Sequence, residues 1–458
     1  MLDMATRELT SFCTDFSPED LTPDVIRAVK HRLLDFLGVA LRGSTLPSSR
    51  IVIDVVKSMG GARESTVMGV GGKAPSPNAA LANGSMGHGL ELDDVHNESS
   101  LHPGAAVIPA ALAVAEREGA SGEALASSIV LGYEVMARVG MAVTPMGHYA
   151  RGFHPTGTCG AFGAAVAAGK ILALSVDQMG SAMGIAGSQA SGLMEYLSDG
   201  SWTKRLHPGW AAHSGVIAAS LAQRGYSGPK TVLEGGKGFV RAYSDHYDLA
   251  KLTEGLGERW AVKNVSVKHY ACCYYKQSAI DALLELVGKH GVKAEDVEEV
   301  VVSLVKVAMP IVAEPPEDKY DVKSVVDAQF SMPYGAAVAL SRGNAFIDEY
   351  TEDTMRDPGI QGLMKKVRVV HDPGLDKDYP NLWPSKARIK TKDGRVYETR
   401  IDLPKGDPRN PFTDEELQGR FSILARGVLP AENINKAIET ISKLEDLDDV
   451  NELTDWLG

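Results

Sequence analysis

The chain has 458 residues, 44% of them hydrophobic and 23% charged, with a formal net charge of -12. That is more core material than one typical domain needs, and the acidic balance leaves no electrostatic footprint for nucleic acid or an anionic membrane. An anionic substrate therefore needs a local cationic pocket, and the four cysteines (Cys13, Cys159, Cys272, Cys273), which form no CxxC pair, point away from a disulfide framework or an iron–sulfur cluster.

The opening MLDMATRELTSF lacks an apolar signal core, and the apolar runs 104–115 and 159–169 are shorter than the roughly 18 residues of a membrane span. A soluble, cytoplasmic protein is expected. Helices are predicted over 23–41, 49–59, 78–86, 104–118, 122–141, 159–174, 175–188 and 210–223. Several are rich in Ala and Gly, which lets helix axes approach closely. The character changes near Ala261: residues 261–270 and 297–307 read as strands, and 386–402 as a hairpin turning at Asp393-Gly394. Helices over 277–290 and 330–341 lie between them. Helix returns over 413–425, 431–443 and 450–457, with Thr413 or Asp414 able to cap the first. A helical tail after an α+β block suggests that the chain returns to its first domain.

Chemistry concentrates in five stretches. Residues 87–103, GHGLELDDVHNESSLHP, hold three histidines (His88, His96, His102) and four carboxylates (Glu91, Asp93, Asp94, Glu98) beside an apolar helix. Carboxylate–imidazole pairs set tautomer and pKa, which suits a catalytic or substrate-binding loop. His88, Asp93, Asp94, His96 and His102 are possible metal ligands, but their spacing matches no standard site; a satisfied polar turn is the plain structural alternative. In RGFHPTGTCG, His154 precedes Pro155, and Thr156, Gly157 and Thr158 lead into a helix start able to hold an anion. In SDGSWTKRLHPGWAAHSG, Lys204, Arg205, His207 and His213 surround Trp202 and Trp210, forming the best cationic cluster for an acidic small molecule. VSVKHYACC places Lys268 at a strand end, where it can bind a carboxylate, and QFSMPYGAA places Tyr334 at a helix start. GVGGK at 69–73 and EGGKGF at 234–239 match neither GxGxxG nor the P-loop and read as turns, so nothing calls for a nucleotide cofactor. No GxSxG nucleophile elbow is present.

In combination, HGLELDD with HP, FHPTGTCGAFGAA, KRLHPGWAAHSG, VKHYACC and QFSMPY resemble the motifs of the MmgE/PrpD family, in that family's order and across nearly the whole chain. The family includes 2-methylcitrate dehydratase, cis-aconitate decarboxylase and iminodisuccinate epimerase. The resemblance implies a mainly α fold with an α+β lid: a large all-helical domain built from both chain ends (1–264 and 405–458) and a smaller α+β domain (265–404). It also implies a cleft between them, a homodimer and no cofactor. The family's active-site positions fall on Asp93, His102, His154, Lys204, Lys268 and Tyr334.

The implied reaction breaks a bond at the carbon next to a carboxylate of a small di- or tricarboxylic acid, by dehydration or decarboxylation. An epimerase on the same scaffold and a non-catalytic carboxylate binder are the alternatives. In this reading His102 and His154 are the acid/base pair, Asp93 orients an imidazole, and Lys204 stabilises charge. Tyr334 donates a proton or fixes the substrate, while Lys268, Thr156, Arg205, His207 and Glu91 bind it. The chain departs from the family at Glu91, Leu92 and Val95, and at Ala271 and Gln277, which stand for the Pro and His of KxYPCCxxxH. Gln277 has no acid or base function. The tryptophan-rich HWLDFNDT pattern associated with 2-methylcitrate dehydratases is absent.

Overall fold

The computed structural model describes residues 4–458. The chain is mainly α-helical with small sheets and divides into two compact units. One comprises residues 4–89, Asp93–Val265 and Thr413–Gly458; the other comprises Leu90–Leu92 and Ser266–Phe412.

The first unit is helical. Helix Thr203–Gln223 packs on Pro155–Ile171 and Ser76–His88, and Gly122–Val143 packs on Pro155–Ile171. Small residues make these approaches close. A Cβ on Gly84 would stand 2.7 Å from the Cα of Gly209 and 2.8 Å from the carbonyl oxygen of Ala105, so backbone meets backbone there. Helix Gly122–Val143 is long and apolar enough to cross a membrane, yet it is buried inside this unit. The C-terminal helix Asp414–Ala425 starts with a capping box between Thr413 and Glu416. It packs on helix Pro23–Gly43, where Arg420 Nε meets Asp35 Oδ1 at 2.9 Å, both buried.

The second unit carries a four-stranded sheet in the order Val367–His371, Val297–Leu304, Ser385–Thr391, Val396–Ile401. The first pair is parallel and the others antiparallel, with Val302 facing both Val369 and Ala387. The last two strands form the expected hairpin, and Gly394 takes the left-handed φ of 87° that its turn requires. Helix Gln277–His290 packs on this sheet and against Met332–Arg342.

Several elements differ from expectation. Helix Ala5–Asp15 and strand Val367–His371 were not anticipated. The strand expected over 261–270 shrinks to Val265–Ser266, because Ala261–Lys263 is a 3-10 turn and His269, Tyr270 and Cys272 are tied to Gln277. The helix expected from residue 210 begins at Thr203, running through Pro208. Proline there forfeits only the hydrogen bond to the carbonyl of Lys204, near the helix start.

Candidate active site

His88 is the last residue of helix Ser76–His88 and has no exposed surface. Its Nδ1 lies 2.5 Å from Asp93 Oδ2. His102 Nδ1 lies 2.7 Å from the backbone oxygen of Asp94 and 3.3 Å from Asp93 Oδ2. A carbonyl oxygen only accepts, so Nδ1 carries the proton of neutral His102 and Nε2 holds the lone pair. The backbone N–H of His102 donates to Thr156 Oγ1 at 3.1 Å. Thr156 thus serves the backbone of His102 from the first turn of helix Pro155–Ile171.

Asp94 shapes the same loop. Its carboxylate accepts from the N–H of Gly104 at 2.9 Å and from the Tyr133 hydroxyl at 2.7 Å, closing the loop onto the start of helix Gly104–Glu118. Burial raises its pKa from 3.8 to about 7, against the opposing pull of the Arg32 charge and its hydrogen bonds.

His154 precedes helix Pro155–Ile171 as its N-cap, and its Nδ1 lies 3.0 Å from Nδ1 of His207. One of the two nitrogens donates and the other accepts. Ring centroids place His88 5.0 Å from His102 and 5.7 Å from His154, with His154 5.2 Å from His207. Four imidazoles therefore run side by side, with Asp93 at one end. Burial holds His154 well below its ordinary pKa, and coupling to His207, whenever that ring is protonated, and to the Lys204 charge adds to the effect. His207 is pushed down to about 4, mainly by burial. Both rings are neutral at pH 7. Lys204 is itself buried and precedes His207 by one helical turn.

Arg205 parts from this group. The segment is helix rather than loop, so consecutive side chains diverge. Arg205 Nη1 meets Ser48 Oγ at 3.1 Å and lines a separate groove with Ile51, Trp202 and Leu206. His213 stacks on Trp210 at 5.1 Å.

The second unit holds the remaining expected residues. Lys268 and Glu91 are buried, with Lys268 Nζ 3.2 Å from Glu91 Oε2. Glu91 adopts a left-handed backbone with φ 55°. Tyr334 is fully buried; its hydroxyl donates to the backbone oxygen of Glu349 at 2.6 Å, and burial pushes its pKa up. Gln277 finds its task in the turn after Lys268. Its Oε1 accepts from the N–H groups of His269 (3.1 Å) and Tyr270 (3.0 Å), and Nε2 donates to the carbonyls of Tyr270 (3.0 Å) and Cys272 (3.3 Å).

His88, Asp93 and His102 bring possible metal-ligand atoms within 4.8 Å of one another. Both Nδ1 atoms are engaged in hydrogen bonds, so each ring would meet an ion or a substrate through Nε2.

Two family models match consecutive parts of the chain: the MmgE/PrpD N-terminal domain over residues 7–251 and the MmgE/PrpD C-terminal domain over residues 270–446. This chain belongs to the MmgE/PrpD family. It is 30% identical to a cis-aconitate decarboxylase-like protein of Aspergillus oryzae, over 98% of this chain and 96% of that protein. It is 29% identical to the cis-aconitate decarboxylase of Mus musculus, over 99% of this chain and 93% of that protein. A mitochondrial 2-methylcitrate dehydratase of Yarrowia lipolytica matches at 24% identity over 39% of this chain and 36% of its own length. The chain is an MmgE/PrpD enzyme of the lyase type.

Within this MmgE/PrpD enzyme, sequence alone assigns His88 no role of its own beyond the 87–103 cluster and no positioning role to Asp94 or Tyr133. A histidine closing a helix five residues before an aspartate was the available signal for His88. Nothing in the sequence around Tyr133 announces that it reaches Asp94, 39 positions away.

Proposed function

We propose that this chain decarboxylates cis-aconitate without a cofactor. The observation that carries the reading is the row of four imidazoles anchored on Asp93, two of them held neutral by burial. Likeness to cis-aconitate decarboxylases over nearly the full chain supports this substrate more strongly than the partial match to a dehydratase.

The reaction removes CO₂ from a tricarboxylate, leaving an electron pair on carbon that one proton must quench. Asp93 beside His102 Nδ1 stabilises the ring once Nε2 takes up a proton, which makes His102 the donor to carbon. His154 stays neutral and acts through hydrogen bonding, its tautomer coupled to His207 by the shared Nδ1···Nδ1 contact. Lys204 offsets the negative charge that develops on the substrate. Lys268, with Glu91, holds a carboxylate, and Tyr334 fixes the substrate or supplies a proton. A homodimer belongs to the same proposal, and light scattering on the purified protein checks it.

Incubation with cis-aconitate in D₂O, followed by NMR, tests the reaction. The expected result is loss of CO₂ and one deuteron on the product carbon that takes up the freed electron pair. Turnover of 2-methylcitrate with cis-aconitate untouched would replace decarboxylation by dehydration. Racemisation of iminodisuccinate would favour epimerisation, and binding without turnover or exchange would leave a carboxylate binder.

A further inference from the structure

Lys276 lies outside every role assigned so far, and it has no exposed surface. Its Nζ donates to the carbonyls of Ala328 (2.9 Å) and Gln329 (3.2 Å) and lies 3.4 Å from the Tyr350 hydroxyl. The Tyr350 ring centroid is 5.2 Å away. The ammonium has a fitted place: a Cβ on Gly335 would stand 2.6 Å from Lys276 Cε and 3.0 Å from Nζ. Burying such a group is costly, so its surroundings must hold it for a reason other than core filling.

The carbonyls it binds are at the end of helix Val325–Gln329. Carbonyls at a helix end carry partial negative charge, so a cation is well placed there. Gln329 is almost fully buried, and its side-chain Nε2 donates to the carbonyl of Leu90 at 3.1 Å. Its backbone oxygen also accepts from Cys273 N–H at 3.1 Å. The residue after Leu90 is Glu91, whose left-handed backbone is unfavourable for a side chain with a Cβ and persists only where its surroundings enforce it. Glu91 is also the residue that meets Lys268.

We infer that Lys276 and Gln329 are positioning residues for the Glu91–Lys268 pair. Lys276 seats the Gln329 end of its helix, Gln329 pins the Leu90 carbonyl, and the strained turn at Glu91 then presents its carboxylate to Lys268. The inference rests on the proposal above that Lys268 holds a substrate carboxylate.

The test measures kcat and KM with cis-aconitate for Gln329→Met, Lys276→Met, Lys268→Met and the Gln329→Met/Lys268→Met double variant, each checked for its unfolding temperature. Loss of one hydrogen bond at Gln329 is expected to raise KM about tenfold with kcat within about twofold and the unfolding temperature unchanged. Lys276→Met is expected to raise KM in the same way and serves as the second probe if Gln329→Met folds poorly. In the Lys268→Met background, Gln329→Met is expected to add nothing. A raised KM in Lys268→Met alongside a normal KM in Gln329→Met and Lys276→Met would overturn the inference and leave the role of Lys268 standing. Full additivity in the double variant would do the same. A normal KM in Lys268→Met would remove the role of Lys268, and the inference would fall with it.

Discussion

Replacing Asp94 by asparagine isolates the price of one buried carboxyl. In the native protein Asp94 is enclosed, accepts from Gly104 N–H and Tyr133 OH, and titrates near 7 rather than at 3.8. Between those two values the folded chain binds the proton more tightly than the unfolded chain does. Stability from this group is therefore fully present below about pH 4 and is lost as pH rises through about 7. The complete loss is roughly 4 kcal/mol, from about 1.4 kcal/mol for each pH unit separating the two titrations. Asparagine has nearly the same shape, accepts from Gly104 through its oxygen, donates to Tyr133 through its nitrogen and never ionises. It also keeps the backbone carbonyl that His102 uses. Urea unfolding of both proteins, followed by far-UV circular dichroism across this pH range, reads the difference at each pH. The variant is expected to be close to the native protein near pH 4 and more stable by up to roughly 4 kcal/mol above pH 7. A difference that stays flat with pH would refute the argument that Asp94 is driven towards its neutral form.

Other consequences are direct. His102→Ala and Lys204→Ala are each expected to lower turnover of cis-aconitate by a factor on the order of 10² or more; near-normal rates in both would discard their roles. His88→Ala removes the 2.5 Å partner of Asp93 and is expected to lower kcat by about tenfold or more with KM little changed, as steady-state kinetics will show. His207, held near 4 by burial, is expected to show no imidazole titration by NMR above about pH 5.5. Its stabilising contribution is present above about pH 6.5 and is lost as pH falls through about 4. Gly84→Ala forces a methyl against the backbone of Gly209 and Ala105 and is expected to cost about 1–3 kcal/mol in a denaturation measurement.

Much of the site was legible because its chemistry is dense in sequence. The stretch 87–103 concentrates acids and imidazoles in a way that a surface loop rarely does, and His154 before Pro155 announced a helix entrance. The partners were harder to read. Asp93 was expected to orient an imidazole, and its shorter contact is with His88 at 2.5 Å, against 3.3 Å to His102. Arg205 reads as one cluster with Lys204 and His207 when helix is expected only from residue 210. Once Thr203–Gln223 is helical, adjacent residues are turned about 100° apart, and Arg205 faces Ser48.

Local pattern alone determined the helices with small-residue faces, the hairpin at Asp393-Gly394 and a capped helix start at Thr413 or Asp414, since each depends on residues a few positions apart. The parallel strand Val367–His371 is different: five residues become a strand because Val297–Leu304, more than sixty positions earlier, supplies their hydrogen bonds. The same holds for Asp94 with Tyr133, Glu91 with Lys268 and His154 with His207. Sequence supplied the reactive groups, whereas tautomer, ionisation and pairing were decided by burial and by neighbours that only the folded chain brings within hydrogen-bonding distance.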